Sequence, residues 1–209
     1  MIIPAAHKLD HINEYYFSRK LKQIAQLRAE GKSIINLGIG NPDQAPSQET
    51  IDALVKSAQN PHHHGYQSYV GIPELRQAMS KWYQHTYNVT LDATSEILPL
   101  LGSKEGISHI STAFLNPGDK VLVPNPGYPT YSSATYLAGA TPIAYDLDEH
   151  ENWAPDFTNI SEETLREAKL IWVNYPNMPT GAKGNIEIFK TLIELAHEFK
   201  LLIVNDNPY

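Results

Sequence analysis

Apolar positions in the first ninety residues recur with helical spacing. Between residues 10 and 30, Ile12, Tyr15, Tyr16, Ile24 and Leu27 fall near one stripe, with Asp10 placed as an N-cap and Gly31 as the stop. Ile34 to Leu37 is a short apolar run leading into Gly38-Ile39-Gly40-Asn41-Pro42. Ser47 is positioned to cap a second helix whose Ile51, Leu54, Val55 and Ala58 follow the i, i+3, i+4, i+7 pattern. Pro61-His62-His63-His64-Gly65 predicts a loop, and Pro73 opens a third helix with Leu75, Met79, Trp82 and Tyr83 on one face.

The rhythm changes near residue 97. Short apolar runs, Ile97–Leu101, Val121–Val123, Pro142–Tyr145, Leu170–Val173 and Leu201–Val204, alternate with helical patterns at about 104–115, 128–138, 161–168 and 185–199. On the last of these, Ile188, Leu192, Leu195, Ala196 and Phe199 share the apolar side. Strand and helix alternating in this order predicts an α/β fold, a three-layer αβα arrangement around a largely parallel sheet. In such sheets ligands bind beyond the carboxyl ends of the strands. The residues after each run therefore carry the chemical interest.

Composition narrows the classes. The chain has 209 residues, 42% of them apolar, and 16 basic against 23 acidic side chains for a net charge of −7. That balance argues against nucleic acid or an anionic membrane as the partner, since both select basic surfaces. There is no cysteine, so thiolate chemistry and disulfides are excluded, in keeping with a cytoplasmic protein. Met1-Ile2-Ile3-Pro4 lacks the basic start of a signal peptide, and no apolar run reaches membrane-spanning length. Gly38-Ile39-Gly40 has Asp43 where a dinucleotide fingerprint needs its third small residue, and Gly31-Lys32-Ser33 has Gln26 where a P-loop needs glycine. Three adjacent histidines between Pro61 and Gly65 read as solvated rather than as metal ligands, so no metal is expected.

Four segments at the strand ends carry chemistry. Leu101-Gly102-Ser103-Lys104-Glu105-Gly106 brings a glycine, a hydroxyl and a cation to a helix start, where free N–H groups and the helix dipole favour a phosphate. Alone it also reads as a βα turn with Ser103 as N-cap. Pro124 to Tyr131 is a rigid turn that displays Tyr128, suited to stacking on a planar ring or to packing on a helix. Asn174-Tyr175-Pro176-Asn177-Met178-Pro179-Thr180-Gly181 offers amides after a strand, or simply a turn. Leu202 to Tyr209 ends an apolar strand in Asp206, which needs a partner such as a protonated pyridine nitrogen, or serves as a helix cap.

Taken together and in this order, the four segments resemble the class I/II aminotransferases, pyridoxal 5′-phosphate (PLP) enzymes of fold type I. Leu37 to Asp43, Tyr66 to Arg76 and Asn116 to Val121 are similar to further segments of that family, so the resemblance covers nearly the whole chain. It implies that residues 1–45 form an N-terminal arm and small-domain segment, and that 46–209 form the N-terminal part of the large PLP-binding domain. It implies that Ser103 and Lys104 hold the cofactor phosphate, Tyr128 stacks on the pyridine ring, and Asp206 keeps its nitrogen protonated. Tyr209 bonds the phenolic oxygen, Tyr66 reaches the phosphate of a neighbouring subunit in a homodimer, and the Gly40 backbone lies against the substrate carboxylate. The expected reaction passes an amino group from an amino acid to a 2-oxo acid; a lyase, a decarboxylase or an inactive ligand-binding fragment are the alternatives.

The sequence departs from the family pattern twice. Where the family has Asn before Pro-Thr-Gly, bonding the phenolic oxygen, this chain has Met178, whose thioether donates nothing. Either Asn177 or Asn174 is then the substitute, or the phenolic oxygen relies on Tyr209 alone, with Met178 packed near the ring. Neither the Schiff-base lysine nor the two arginines of the family, expected beyond the Asp-x-x-Tyr strand where the chain ends, can be matched, and Lys183, Lys190 and Lys200 lie in loop or helix contexts. The sheet is accordingly expected to be incomplete, and the chain to be a fragment of a longer enzyme.

Overall fold

In a computed structural model the protein is described at residues 3–12, 14–38, 40 and 42–208. Two compact units are present: residues 14–99 form one, and residues 1–13 with 100–209 form the other.

The unit spanning 14–99 is helical. It contains α1 (Tyr16–Ala29), α2 (Gln48–Ala58) and α3 (Pro73–Tyr87). Ser47 caps α2 as expected, accepting from the Thr50 N–H at 3.3 Å. Pro73 occupies the first turn of α3, where its missing N–H costs nothing. Arg76 on α3 is nearly buried and donates to the carbonyls of Ala93 and Thr94, while Ser80 donates to Leu91. Those bonds strap residues 91–94 onto the helix. Leu54 and Val55 of the α2 stripe remain exposed.

Three local expectations need correction here and at the neighbouring termini. Asp10 does not cap α1. It closes a short 3-10 turn, His7–Leu9, through its N–H to the His7 carbonyl. That segment belongs to the other unit, where His11 stacks on Tyr136 with centroids 4.7 Å apart and Lys8 donates to the Leu137 carbonyl. Tertiary contacts thus outcompete helix continuation. The histidine segment, expected as a loop, contains a 3-10 turn, Pro61–His63, capped by Asn60. Ile97–Leu101 forms no strand among the described residues. Pro99 removes a ladder donor from its centre and packs against Gly71, while Leu100 packs against Gly106.

The second unit is built on a five-stranded sheet in the order β3-β2-β1-β4-β5: β1 Lys120–Asn125, β2 Thr141–Asp148, β3 Ala154–Asp156, β4 Ala168–Val173 and β5 Leu202–Asn205. β1 pairs in parallel with β2 and β4, β4 in parallel with β5, and only β3 runs antiparallel. The intervening helices are α4 (Ser103–Phe114), α5 (Pro129–Leu137), α6 (Glu162–Glu167) and α7 (Ile186–Phe199).

The period-2 alternation of a strand sends neighbours to opposite faces. Leu122, Ile171 and Val173 enter one core with Leu165, Ile188 and Leu192. Val121, Val123, Leu170 and Trp172 enter the other with Ile107, Leu115, Tyr131 and Ala134. Helices therefore cover both faces, the three-layer αβα arrangement. β5 is an edge strand, and Leu202 on it is exposed.

Two outcomes follow. Leu192, almost fully buried, should cost about 2–5 kcal/mol on replacement by alanine, through lost transfer energy and the cavity left behind; urea denaturation measures it. Burial pushes the Tyr175 phenol up to about 12 and raises that of Tyr145 as well, with its hydroxyl on the Trp172 carbonyl. Unfolded tyrosines ionise near the ordinary value of about 10. Stability is thus full below that pH and is lost as pH rises towards 12. Tyr175→Phe should flatten the fall in an alkaline denaturation series.

Candidate functional site

Sheet order locates the site. From β1 the chain steps to β2 on one side and later to β4 on the other, so its direction reverses between β1 and β4. Crevices outside the carboxyl ends of strands at such a switch point are where open α/β sheets bind ligands. The segments leaving β1, β4 and β5 there are 126–131, 174–181 and 206–208.

The start of α4 lies in the same unit. Gly102 holds φ +103 with nothing within 4 Å of where a Cβ would stand, so only glycine enters this turn without strain and the backbone stays open to a ligand. Gly102, not Ser103, is the N-cap residue, and its lack of a side chain leaves the cap to others. Ser103 and Lys104 are the first two helical residues, whose N–H groups have no acceptor within the helix. The Glu105 carboxylate accepts from the Leu101 N–H, and that bond holds its pKa below the ordinary carboxylate value. An exposed hydroxyl, a lysine and unsatisfied N–H groups together form an anion-favouring helix terminus.

Contacts run from that terminus across the strand ends. The Lys104 ammonium lies 5.8 Å from the centroid of the Tyr128 ring. Tyr128 meets Tyr131 edge to face at 5.7 Å. The Tyr131 hydroxyl donates to Asp206 Oδ2 at 2.9 Å, and its ring stacks on Trp172 at 5.1 Å and 9°. Asp206, half-buried, is fixed by its N–H to the Val173 carbonyl and by Asn174 Nδ2 donating to its own carbonyl at 2.6 Å. Ser103, Lys104, Tyr128 and Asp206, singled out from sequence, therefore belong to one unit, and three of the four are joined by this contact chain. Tyr131 was not singled out. Its signal was the i, i+3 spacing from Tyr128 at a helix start, which puts both rings on one side of α5.

The asparagine turn is self-contained. Asn174 and Asn177 are both buried. Asn174 Oδ1 accepts from the Met178 N–H at 2.7 Å while its amide holds Asp206. Asn177 Oδ1 accepts from Thr180 Oγ1 at 2.7 Å and from the Thr180 N–H, and its amide donates to the Asn174 carbonyl at 3.3 Å. Of these bonds, the one the Asn177 amide donates at 3.3 Å is the one a ligand oxygen can replace. Gly40 and Tyr66 lie in the helical unit, Tyr66 fully exposed, and Tyr209 lies outside the described residues.

A planar, phosphorylated pyridine needs an anion site, an aromatic face and a carboxylate for its nitrogen. The α4 terminus, Tyr128 and Asp206 meet those three needs, and the open Gly102 cradle leaves room at the first. Removing the buried Asn177 amide should loosen the turn that follows β4. Asn177→Ala leaves the Thr180 donors and the Asn174 carbonyl short of partners, an expected loss of about 1–3 kcal/mol, whereas Met178→Asn on the same turn should stay within about 0.5 kcal/mol of wild type; thermal or urea unfolding compares the two.

Comparison with known proteins bears on the family and the fold. The family described as "Aminotransferase class I and II" matches residues 32–209. The chain is 41% identical over 202 residues to an LL-diaminopimelate aminotransferase of Dehalococcoides mccartyi, covering 97% of this chain and 52% of that protein. It is 42% identical over 204 residues to the enzyme of the same name from Moorella thermoacetica, covering 98% and 52%. Among solved structures, substrate-bound BacF from Bacillus subtilis superposes with a TM-score of 0.92 at 33% identity, covering 98% of this chain and 52% of its own. The chain spans about half the length of the curated relatives it matches. Across that span it belongs to the class I and II aminotransferase family.

Proposed function

We propose that these residues are the N-terminal half of a PLP-dependent aminotransferase that moves an amino group between an amino acid and a 2-oxo acid. The observation that carries the reading is the chain of contacts from Lys104 through Tyr128 and Tyr131 to Asp206. It sets a cation, a ring and a carboxylate in the order in which a pyridine ring with a phosphate arm presents its complementary groups. In this reading Ser103, Lys104 and the free N–H groups of α4 hold the phosphate. Tyr128 stacks on the ring, and Asp206 holds a proton on its nitrogen. Asn177 and Tyr209 bond the phenolic oxygen, with Asn177 exchanging its 3.3 Å bond to the Asn174 carbonyl for that contact. When bound, the cofactor supplies an electron sink for charge leaving the substrate's α-carbon.

The wider assignments are part of the same proposal. Residues 1–45 serve as arm and small-domain segment, and 46–209 as part of the large domain. Gly40 places its backbone against the substrate carboxylate, and exposed Tyr66 reaches the phosphate site of a second subunit in a cytoplasmic homodimer. No helix among the described residues is long and apolar enough to cross a membrane, and no cluster of three metal-ligating side chains occurs among them. Lys183 and Lys200 are exposed in a loop and at the C-cap of α7, and Lys190 pairs with Glu187 on α7. None adjoins the Asp206 carboxylate through a described contact; in this reading these residues hold the cofactor noncovalently, and transfer belongs to the whole enzyme. The names of the relatives make LL-diaminopimelate the first amino donor to try.

Quenching of intrinsic fluorescence by PLP tests binding. Lys104→Ala should weaken PLP by about tenfold, the worth of a charge-assisted contact, and leave the phosphate-free pyridoxal unchanged; equal losses for both would remove Lys104 from the phosphate site. For the full-length enzyme, incubation with LL-diaminopimelate and 2-oxo acids should yield new amino acids. Loss of carbon dioxide or of a substituent without amino transfer would point to a decarboxylase or lyase on the same scaffold.

A further inference from the structure

Asp206 follows an edge strand, and its carboxylate rests on a single described side-chain donor, the Tyr131 hydroxyl at 2.9 Å. The donor is unusually well fixed. Tyr131 is 1% exposed, and its ring lies 9° from parallel on Trp172, a fully buried residue of β4. Trp172 is the register partner of Val204 on β5, so the stack and the carboxylate hang from adjacent strands of one sheet. The same ring also meets Tyr128 edge to face at 5.7 Å. Tyr131 therefore touches both groups assigned to the pyridine, the stacking face and the nitrogen partner, and touches them with different atoms.

An aspartate's terminal torsion is broad and roughly two-fold, so the backbone alone does not aim its oxygens. The bonds from Asp206 N–H to Val173 and from Asn174 to the Asp206 carbonyl hold the main chain only. A phenol bond to Oδ2 selects one torsion. We propose that Tyr131 is a positioning residue for Asp206: by taking Oδ2 it presents the other carboxylate oxygen to the protonated ring nitrogen of the cofactor, in register with the plane set by Tyr128. This rests on the reading of Asp206 as the nitrogen partner given above.

Tyr131→Phe removes the hydroxyl and keeps the ring on Trp172. Its effect is read with two ligands, PLP and the PLP analogue in which a C–H replaces the ring nitrogen, titrated into the purified 209-residue chain. Wild type should favour PLP over the analogue. The variant should lose about tenfold in PLP affinity, one charge-assisted hydrogen bond, while its affinity for the analogue changes less than twofold and its thermal midpoint stays near wild type. Equal losses for both ligands would make Tyr131 a packing residue only, and no loss for either would make the bond irrelevant to binding; each result overturns the inference and leaves the role of Asp206 standing. A wild-type chain that binds the two ligands equally, or binds neither, removes the nitrogen partnership of Asp206 and the inference with it.

Discussion

Parallel pairing of β1 with β2 on one side and β4 on the other is the constraint from which the rest follows. The bonds of β1 are taken on both edges, so its side chains have only the two faces to occupy. Val121 and Val123 go to one, Leu122 to the other. Apolar residues on both faces demand helices on both, which α4 with α5 and α6 with α7 supply. Parallel pairing also requires each connection between parallel strands to cross back over the sheet, so β1, β2, β4 and β5 end at the same edge. That is why residues from three separate turns converge there.

The convergence is held by polar bonds rather than by packing alone. Asn174 spends one end of its amide on Met178 and the other on Asp206, linking the turn after β4 to the residue after β5. Tyr131 does the same between α5 and Asp206. Each is buried, so each polar group is costly without its partner and is correspondingly well fixed with it. An edge strand like β5 has little packing to hold its terminal residue; these bonds take over that task.

Much of the architecture was legible because it depends on local period and on caps. The alternation of strand and helix after residue 100 follows from apolar spacing, and Ser47 and Pro73 announce helix starts through bonding capacities that hold in any context. The failures have physical causes. Ile97–Leu101 has a strand's composition, but pairing requires a neighbour, and Pro99 and Leu100 found packing partners in Gly71 and Gly106 instead. Asp10 looks like an N-cap until His11 stacks on Tyr136, a contact 125 positions away in sequence. β3 is three residues long and antiparallel, too short for any period to mark.

The candidate site divides along the same line. Gly102-Ser103-Lys104, Tyr128 and Asp206 are visible in the sequence because a glycine before a helix, an aromatic in a proline-rich turn and a carboxylate after an apolar run each imply a chemistry by type and position. Their family resemblance, carried by the order of those segments, held when the whole chain was compared. What no spacing could reveal is which polar groups are already spent. Asn177 reads as available from its place in the turn, yet its oxygen is engaged by Thr180. Tyr131 reads as an ordinary helix residue, yet it carries the bond to Asp206 across 75 positions. Residue type and period are local properties and are set by the sequence alone. Hydrogen-bond partnership between distant segments is settled only when folding brings donor and acceptor within about 3 Å, and that decision belonged to the tertiary structure.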